Sequence, residues 1–522
     1  MAFCNPFLSP NSGGNKPWVD QISKNLQTQL AVTIDTPPVS VFLIQKTWKE
    51  EHLEEYVPQR IGLGPNHHFQ PELYQMMEQN KLTAVRRLLK PYQIHDCQQQ
   101  IVAKVKEIVP ILRTCYETYL DADDDTLAWL FAIDGMFLLD QLDSYINHGF
   151  VIEAKDLVML ENQIPLIVLK EIKKVLLSTI DQTALSQLED YLESKFRFFC
   201  KSRSPFLLSE ENIDFSKVNH LLDYMYNSIV NNETSIPIKV DFTPTDTSDP
   251  TVEEPTVKDA KLELLDAVIK IAVLIPAAQS IIDFIKKIMF PEMNGQKTIV
   301  EEIKVPSVSE LNKTAKIKFR LLPGNEGIRN INFVEGKERI CYLPLITLNI
   351  DSEVTVRNLV AYEKSMANNS HESTYGLELT EYVDFMCGIV DTAKDVKLLR
   401  EGKIIQSDLS DEQIVKLFNG IRKSQGKMNI ETELRKTLVQ LNKVYESTPT
   451  VWIQRLFEKQ FRVWAKTITF LVGILSTLIV IREVYLKVNL FIPLRHMMLV
   501  QFFEEKWSRL LIFFIKPKGP VV

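Results

Sequence analysis

The stretch from 156 to 169, DLVMLENQIPLIVL, constrains the fold most, because it places a polar tripeptide between two apolar blocks. Pro165 follows the tripeptide, cannot donate a backbone hydrogen bond and clashes with a continuing helix, so the pattern favours a break. We therefore expect one helix to end near Glu161 and a second to begin with Asn162 as its cap and Pro165 in its first turn. The flanking apolar residues predict a buried break whose amides need partners. This pattern favours a structural corner over a reaction site.

Helical periodicity dominates the first half of the chain. Residues 1–17 are predicted to be a flexible start, and 18–240 a helical N-terminal region. The composition changes at 241–261, which is acidic and rich in proline and threonine and is predicted to be a linker. The following 262–290 has the pattern of an amphipathic helix, which could pack against the protein or lie on a membrane surface.

The second folded region, 303–450, combines helices with short strands. Alternating apolar residues between 316 and 350 predict a small antiparallel β meander, interrupted at Pro344. Three capping boxes predict helix starts, and they lie at Ser307 to Glu310, Thr392 to Asp395 and Ser410 to Gln413. The predicted fold class is therefore mainly α with a small antiparallel β meander, that is α+β.

Charge and cysteine content limit the classes of function. A formal net charge of −7 argues against a nucleic-acid partner, because such proteins usually carry a basic face. Six cysteines are scattered without a C-x-x-C pair, which fits a reducing compartment. The first residues lack the basic and apolar segments of a signal peptide, so we expect the N-terminal bulk to lie in the cytosol.

A run of fifteen uncharged residues, Thr467–Ile481, is the predicted membrane anchor. A membrane-spanning helix usually needs ~20 apolar residues, so this run is short. Lys466 and Arg482 can extend it by turning their charges outward, which gives a predicted transmembrane helix over 466–485. The alternative is a buried soluble helix. We expect a single pass, with the plasma membrane favoured, followed by an apolar tail over 486–522.

His67, His68 and Glu78 form the most reactive-looking group in the sequence. A metal-dependent hydrolase or transferase using these three residues is the enzymatic alternative. Adjacent histidines cannot easily direct both imidazoles to one metal, and no H-E-x-x-H pattern completes a site. Histidines with a structural role are therefore favoured, and no catalytic residue, metal ligand or cofactor is predicted.

Asp134 lies within an apolar segment, 127–142, that is predicted to be buried on most sides. An unpaired charge there would be costly, so a cationic or hydrogen-bonding partner is required. Lys81 and Arg86 are the candidates. A carboxylate pair between Asp134 and Glu161 is possible, but buried acids more often bind a base or backbone N–H groups.

Several segments together resemble a plant family known as domain of unknown function 247. They are Ile61–His68, Met77 and Glu78 with Lys81, Asp134–Leu139, Met159–Pro165, Val305–Leu311 and Arg357–Glu363. The chain departs from the family pattern at Asn66, Phe69 and Met136, where tyrosine, glycine and cysteine are usual. It also continues unusually far after Arg482.

The resemblance implies a mostly helical intracellular domain with one C-terminal anchor and no established activity. Some members are linked to pollen-side recognition, which suggests a protein-interaction, recognition or signalling module with an unknown protein partner. The family-motif residues are expected to be structural. They are Gly64, Pro65, His67, His68, Glu78, Lys81, Asp134, Gly135, Glu161, Asn162, Gln163, Pro165, Arg357 and Asn358.

Overall fold

The computed structural model divides into two compact units, Met1–Thr448 and Pro449–Val522, which are treated separately here. The residues that it describes are 39–92, 95–148, 154–178, 188–209, 213–231, 305–369, 376–421, 433–449, 451, 473–482 and 506–507. The predicted flexible start, acidic linker and amphipathic helix (1–17, 241–261 and 262–290) lie outside these ranges.

Helices form most of the first unit up to residue 230, as the periodicity predicted. They are α1 (Lys46–Glu51), α2 (Leu53–Tyr56), α3 (Gly64–His67), α4 (Pro71–Leu89), α5 (Ala103–Cys115), α6 (Asp124–His148), α7 (Leu166–Ser178), α8 (Leu188–Arg203) and α9 (Leu221–Val230). A π-helical turn, Gln98–Val102, precedes α5, and Pro110 lies inside that helix.

The rest of the first unit adds six helices and five strands among the described residues. The helices are α10 (Val308–Ala315), α11 (Ser352–Asn369), α12 (Glu378–Ile389), α13 (Ala393–Glu401), α14 (Asp411–Ile421) and α15 (Glu433–Ser447). The strands are β1 (Ile317–Leu321), β2 (Asn332–Glu335), β3 (Arg339–Leu343), β4 (Ile346–Leu348) and β5 (Ile405–Ser407). The three predicted capping boxes do begin helices α10, α13 and α14.

Helix α6 is the central element of the helical region. It contacts α4, α5, α7 and α8, which explains why its sequence is apolar almost all round. A side chain at Gly135 would place a Cβ 2.7 Å from Ile172 and 2.9 Å from Val168 of α7. The glycine therefore allows the two helices to approach closely.

The α+β class is confirmed, but the antiparallel meander is wrong. The sheet has the order β1-β3-β2, and β1 runs parallel to β3, while only β2 and β3 are antiparallel. Two 3-10 turns, Pro323–Asn325 and Ile328–Asn330, interrupt the chain after β1, so β2 does not return beside it. Beyond Pro344 the chain leaves this sheet, and β4 instead pairs in parallel with β5.

The corner at Pro165 is buried, as predicted, but its local structure differs. Two 3-10 turns, Ala154–Val158 and Leu160–Asn162, occupy the place of the expected first helix. The side chain of Asn162 does not cap α7, which begins after Pro165. The amide of Asn162 is used by a distant segment of the chain, and this tertiary contact replaces the local cap.

Asn358 of α11 joins the helical region to the α+β region. Its Oδ1 accepts a hydrogen bond from the backbone N–H of Leu160 (2.9 Å), and its Nδ2 donates to the carbonyl of Glu55 (2.8 Å). The side chain is fully buried. One amide therefore satisfies backbone groups from two other segments at the contact between the regions.

In the second unit, a helix occupies 473–482. The side chains of Leu475, Ile479, Val480 and Ile481 are each more than half exposed. Within the ranges given above, no helix combines the length and the apolar character that a membrane crossing requires. Two parts of the predicted span, 466–472 and 483–485, and all of the predicted tail except 506–507 lie outside those ranges.

Candidate functional site

The motif residues converge on one irregular segment, 59–68, which we call the anchor loop. Its backbone belongs to neither a sheet nor a long helix, so its N–H groups need side-chain acceptors. Asp156 supplies the first acceptor: its Oδ2 receives the N–H groups of Gln59 (3.2 Å), Arg60 (2.8 Å) and Ile61 (2.9 Å). The carboxylate thus fixes the start of the anchor loop.

Asn162 continues this pattern with both ends of its amide. Its Oδ1 accepts from the N–H of Leu63 (2.6 Å), and its Nδ2 donates to the carbonyls of Ile61 (2.8 Å) and Asp156 (2.9 Å). An amide side chain is the only uncharged one that offers an acceptor and two donors in this way. Asn162 therefore acts as a substitute peptide group for the buried loop.

Asp134 holds the middle of the anchor loop and is fully buried. Its Oδ2 accepts from the N–H of Gly64 (2.9 Å), and its Oδ1 accepts from Lys81 Nζ (2.7 Å). His68 Nδ1 lies 2.9 Å from Oδ2, and Lys81 also donates to the carbonyl of Gly62 (2.6 Å). The predicted need for a cation is thus met by Lys81, whereas Arg86 is exposed on α4.

Burial alone would raise the pKa of the Asp134 carboxyl. The Lys81 ammonium and the hydrogen bond from His68 outweigh that effect, so its pKa lies below the ordinary value. The group is therefore a stable anion in the core of the helical region, and its charge is balanced by Lys81.

Glu161 forms a second, separate centre. Its Oε1 accepts from the N–H of Ile44 (2.7 Å), and its Oε2 lies 2.5 Å from Lys49 Nζ and 3.3 Å from His67 Nε2. Burial would raise the pKa of Glu161, but His67 and Lys49 together lower it below the ordinary value. The adjacent histidines thus point to different acids.

Gln163 and Gly64 complete the contact between the corner and the anchor loop. Gln163 donates to the carbonyls of Leu157 (2.9 Å) and Met159 (2.8 Å), and its own carbonyl accepts from the Tyr116 hydroxyl (2.8 Å). Gly64 has φ +67°, and a Cβ there would lie 3.1 Å from that hydroxyl oxygen. Both the backbone conformation and the close approach require glycine.

The remaining motif residues lie around this network. Pro65 is in the first turn of α3, and Gly135 faces α7 rather than the anchor loop. Arg357 is nearly buried and donates to Glu353 within its own helix (2.8 Å to Nη2). Glu78 does not pair with Lys81: its Oε2 lies 3.8 Å from His68 Nε2.

Sequence reasoning missed several buried polar residues. Asp156 bonds the anchor loop directly, and a second cluster consists of His220, Asp223 and Glu363. Sequence reasoning also missed Lys49, a partly buried lysine that bonds Glu161. Glu363 accepts from the N–H groups of Leu379 (3.0 Å) and Thr380 (2.7 Å), which begin α12. Burial raises the pKa of Glu363 and lowers that of His220. Glu363 directly follows the apolar run Leu359–Tyr362, and this signal could have identified it. Asp156 follows Lys155 and has no such signal.

The contacts of the network are mainly to backbone groups and to side chains of this chain. Asp134 and Glu161 carry donors from this chain, and the two histidine rings face different carboxylates. In the described part of the chain, no group of three or more histidine, cysteine, aspartate or glutamate side chains is placed to hold a metal ion. The arrangement can fix the anchor loop, and this is the chemistry that its contacts show.

Replacing Lys81 with methionine should destabilise the protein strongly. The change leaves Asp134 as an uncompensated buried charge, so we expect a loss of about 3–5 kcal/mol in the free energy of unfolding, measured with denaturant. Arg86→Met, on the exposed face of the same helix, should change it by less than about 0.5 kcal/mol. An equal effect of the two substitutions would contradict the pairing of Lys81 with Asp134.

The two kinds of buried acid should respond to pH in opposite directions. Folding lowers the pKa of Glu161. The ionised group therefore contributes its full stabilisation above its ordinary pKa of 4.5, and this stabilisation is lost as pH falls through the lowered pKa of the folded state. The stability difference between the native protein and Glu161→Gln should therefore shrink below about pH 4.5. Folding raises the pKa of Asp156, because of burial, above its ordinary 3.8. The free energy of unfolding of the native protein should therefore rise relative to that of Asp156→Asn as pH falls from the raised pKa of Asp156 towards 3.8. Parallel pH profiles for the two variants would contradict these assignments.

Comparisons with known proteins identify the family of this chain. The model of a family described as plant protein of unknown function (DUF247) matches residues 41–479. The putative UPF0481 protein At3g02645 of Arabidopsis thaliana is 27% identical over 538 residues, which cover 90% of this chain and 94% of that protein. The UPF0481 protein At3g47200 of Arabidopsis thaliana is 21% identical over 408 residues, which cover 73% of this chain and 72% of that protein. No solved structure matches the chain significantly. The match over most of its length confirms the resemblance, and the chain belongs to the DUF247 family of plant proteins.

Proposed function

We propose that this protein is a membrane-anchored protein-interaction module that acts in recognition or signalling. The observation that supports this most is the use made of the buried motif residues. Asp134, Asn162 and Asp156 accept hydrogen bonds from backbone N–H groups of the anchor loop. The anchor loop leads directly into an exposed aromatic pair, Phe69 and Tyr74. The loop therefore holds a fixed surface.

Fixing a loop in this way favours binding. A partner that meets a preordered surface does not have to immobilise it, so less of the interaction energy is lost as conformational entropy. Phe69 is 56% exposed and Tyr74 is 42% exposed, and their rings lie 6.3 Å apart. Exposed aromatic residues on a rigid frame are typical of the centres of protein interfaces.

The anchor in this proposal is Thr467–Ile481. The uncharged sequence of this segment and the exposed apolar side chains at Leu475, Ile479 and Val480 support it. The body of the protein would then lie in the cytosol at a membrane, with the plasma membrane favoured, and its partner would be a protein and not a nucleic acid.

Two measurements on plant membranes test this proposal. The tagged full-length chain should stay in the membrane pellet after alkaline carbonate, and deletion of 467–481 should release it.

Chemical crosslinking followed by mass spectrometry should enrich at least one protein with the tagged chain relative to untagged membranes. Release of the full-length chain by carbonate would refute the anchor, and the absence of any enriched protein would refute the interaction function.

A metal-dependent hydrolase or transferase is the second candidate, and one contact favours it. Asp134 orients His68 through Nδ1, as carboxylates that bond the far nitrogen of a metal-binding imidazole do, and His68 Nε2 lies 3.8 Å from Glu78 Oε2. His67 would not take part, because it faces Glu161. Metal analysis of the purified chain discriminates the two: stoichiometric zinc or iron that is lost in His68→Ala would favour this candidate, and metal-free protein would exclude it.

A further inference from the structure

Glu78, on α4 beside the end of the anchor loop, carries an unsatisfied carboxylate oxygen. Its Oε2 is shielded from water and has no hydrogen-bond partner among the residues that the structure describes. It faces His68 Nε2 at 3.8 Å, which is too far for a hydrogen bond. A buried carboxylate oxygen without a donor is unfavourable, so a donor that reached this oxygen would be bound favourably.

The tautomer of His68 determines what that group must be. Its Nδ1 lies within 3.0 Å of both carboxylate oxygens of Asp134, an anion that can only accept. Lys81 Nζ is farther from Nδ1, at 3.2 Å, and is closer to Asp134 and to the carbonyl of Gly62. We therefore assign the ring proton to Nδ1, where it bonds the two close carboxylate oxygens. In the neutral ring Nε2 is then an acceptor. Two acceptors, His68 Nε2 and Glu78 Oε2, therefore face each other, and only a donor placed between them can satisfy both.

The charge balance requires that donor to be a cation. Lys81 already bonds Asp134 and the carbonyl of Gly62, so its charge is matched by Asp134. Glu78 adds a negative charge that none of these contacts offsets. An ammonium group offers three N–H donors and a positive charge, and thus fits both acceptors and the local charge.

Aromatic rings surround the same position. Tyr74 and Glu78 are one turn apart on α4 and therefore lie on the same face of the helix. The His68 ring lies 4.6 Å from the Phe69 ring and 6.0 Å from the Tyr74 ring, measured between centroids. The faces of such rings attract cations, and their apolar surface can cover the methylene stem of a lysine.

Glu78 is accessible enough to meet such a group. Its side chain is 19% exposed, although Oε2 itself is shielded. The neighbouring Phe69 and Tyr74 are exposed at the surface. A donor would therefore approach Glu78 from the side of these two rings.

We propose that His68, Phe69, Tyr74 and Glu78 form a binding site for a lysine side chain of a partner protein, whose ammonium bonds His68 Nε2 and Glu78 Oε2. The site specifies the chemistry of the contact that the proposed function requires, and it rests on that function. It assigns Glu78 and the Nε2 of His68 to the ligand, whereas the other motif residues of the network serve the fold.

A defined probe on the purified full-length chain tests this site. Phe69→4-fluorophenylalanine supplies one fluorine resonance next to the site, and the chain is titrated with N-acetyl-lysine N-methylamide in the presence of a chelator. We expect a saturable shift with the lysine probe and none with the norleucine analogue, which has the same apolar stem but no ammonium.

Variants of α4 show whether the carboxylate matters. Glu78→Gln should weaken the apparent affinity by about fivefold or more, because the probe loses its counter-charge. Glu72→Gln is the matched control, because Glu72 is an exposed acid on a different face of the same helix and should leave the affinity unchanged. Unfolding curves that match the parent chain exclude a folding defect in either variant.

Three results would overturn the lysine site: no saturable shift, an equal response to norleucine, or full affinity in Glu78→Gln. If any of these occurs while crosslinking still enriches a partner, the site is refuted and the interaction function stands. If the probe binds as expected but no partner is enriched, the site stands as a ligand site and the proposed interaction function fails.

Discussion

The structure depends on how one buried, irregular backbone segment obtains its hydrogen bonds. The N–H groups of residues 59, 60, 61, 63 and 64 have no helix or strand to pair with, and each bonds a side chain instead. Leaving one such group unpaired costs about 1–3 kcal/mol, so the acceptors are as necessary as an apolar core. This requirement explains why Asp134, Asp156 and Asn162 are buried in a mainly helical unit.

Burying those acceptors creates a second requirement, which is charge balance. Two of the acids receive a lysine each: Lys81 contacts Asp134, and Lys49 contacts Glu161. The adjacent histidines extend this arrangement, because consecutive residues of a helical turn point about 100° apart. His67 therefore reaches Glu161 while His68 reaches Asp134. A histidine pair that looks catalytic in the sequence fastens one loop to two different carboxylates.

How much of this could be predicted depends on whether the information is local. The partner of Asp134 was predictable, because a charge inside an apolar helix requires a cation. The choice of Lys81 over Arg86 follows from the buried face of α4. The role of Asp156 could not be predicted, because nothing near it in the sequence shows that it bonds three N–H groups almost a hundred residues away. The corner at Pro165 includes a predictable feature and an unpredictable one. The proline determines the break locally, whereas Asn162 bonds the distant anchor loop instead of capping α7.

The β region shows the same limit in another form. Alternation of apolar residues reveals which side of a strand is buried, and Ile317 and Phe319 do face the core. It does not reveal which strand lies beside it, because that depends on the path of the connection. The ten residues between β1 and β2 contain two 3-10 turns, and β3 takes the place next to β1. Strand order is thus a property of the linking segment and not of the strands.

Buried network and exposed surface are connected through a single peptide bond. His68 is held by Asp134 in the core, and the next residue, Phe69, is exposed. The position of the exposed ring therefore follows from contacts that lie deep in the unit, and little freedom remains for the loop to adapt. A surface fixed in this way discriminates between partners by shape and charge, since it cannot reshape itself to accept a poor match. In the interaction that we propose, the polar residues of this core would bear on selectivity as well as on stability, although Asp134 and Asn162 themselves are fully or almost fully buried.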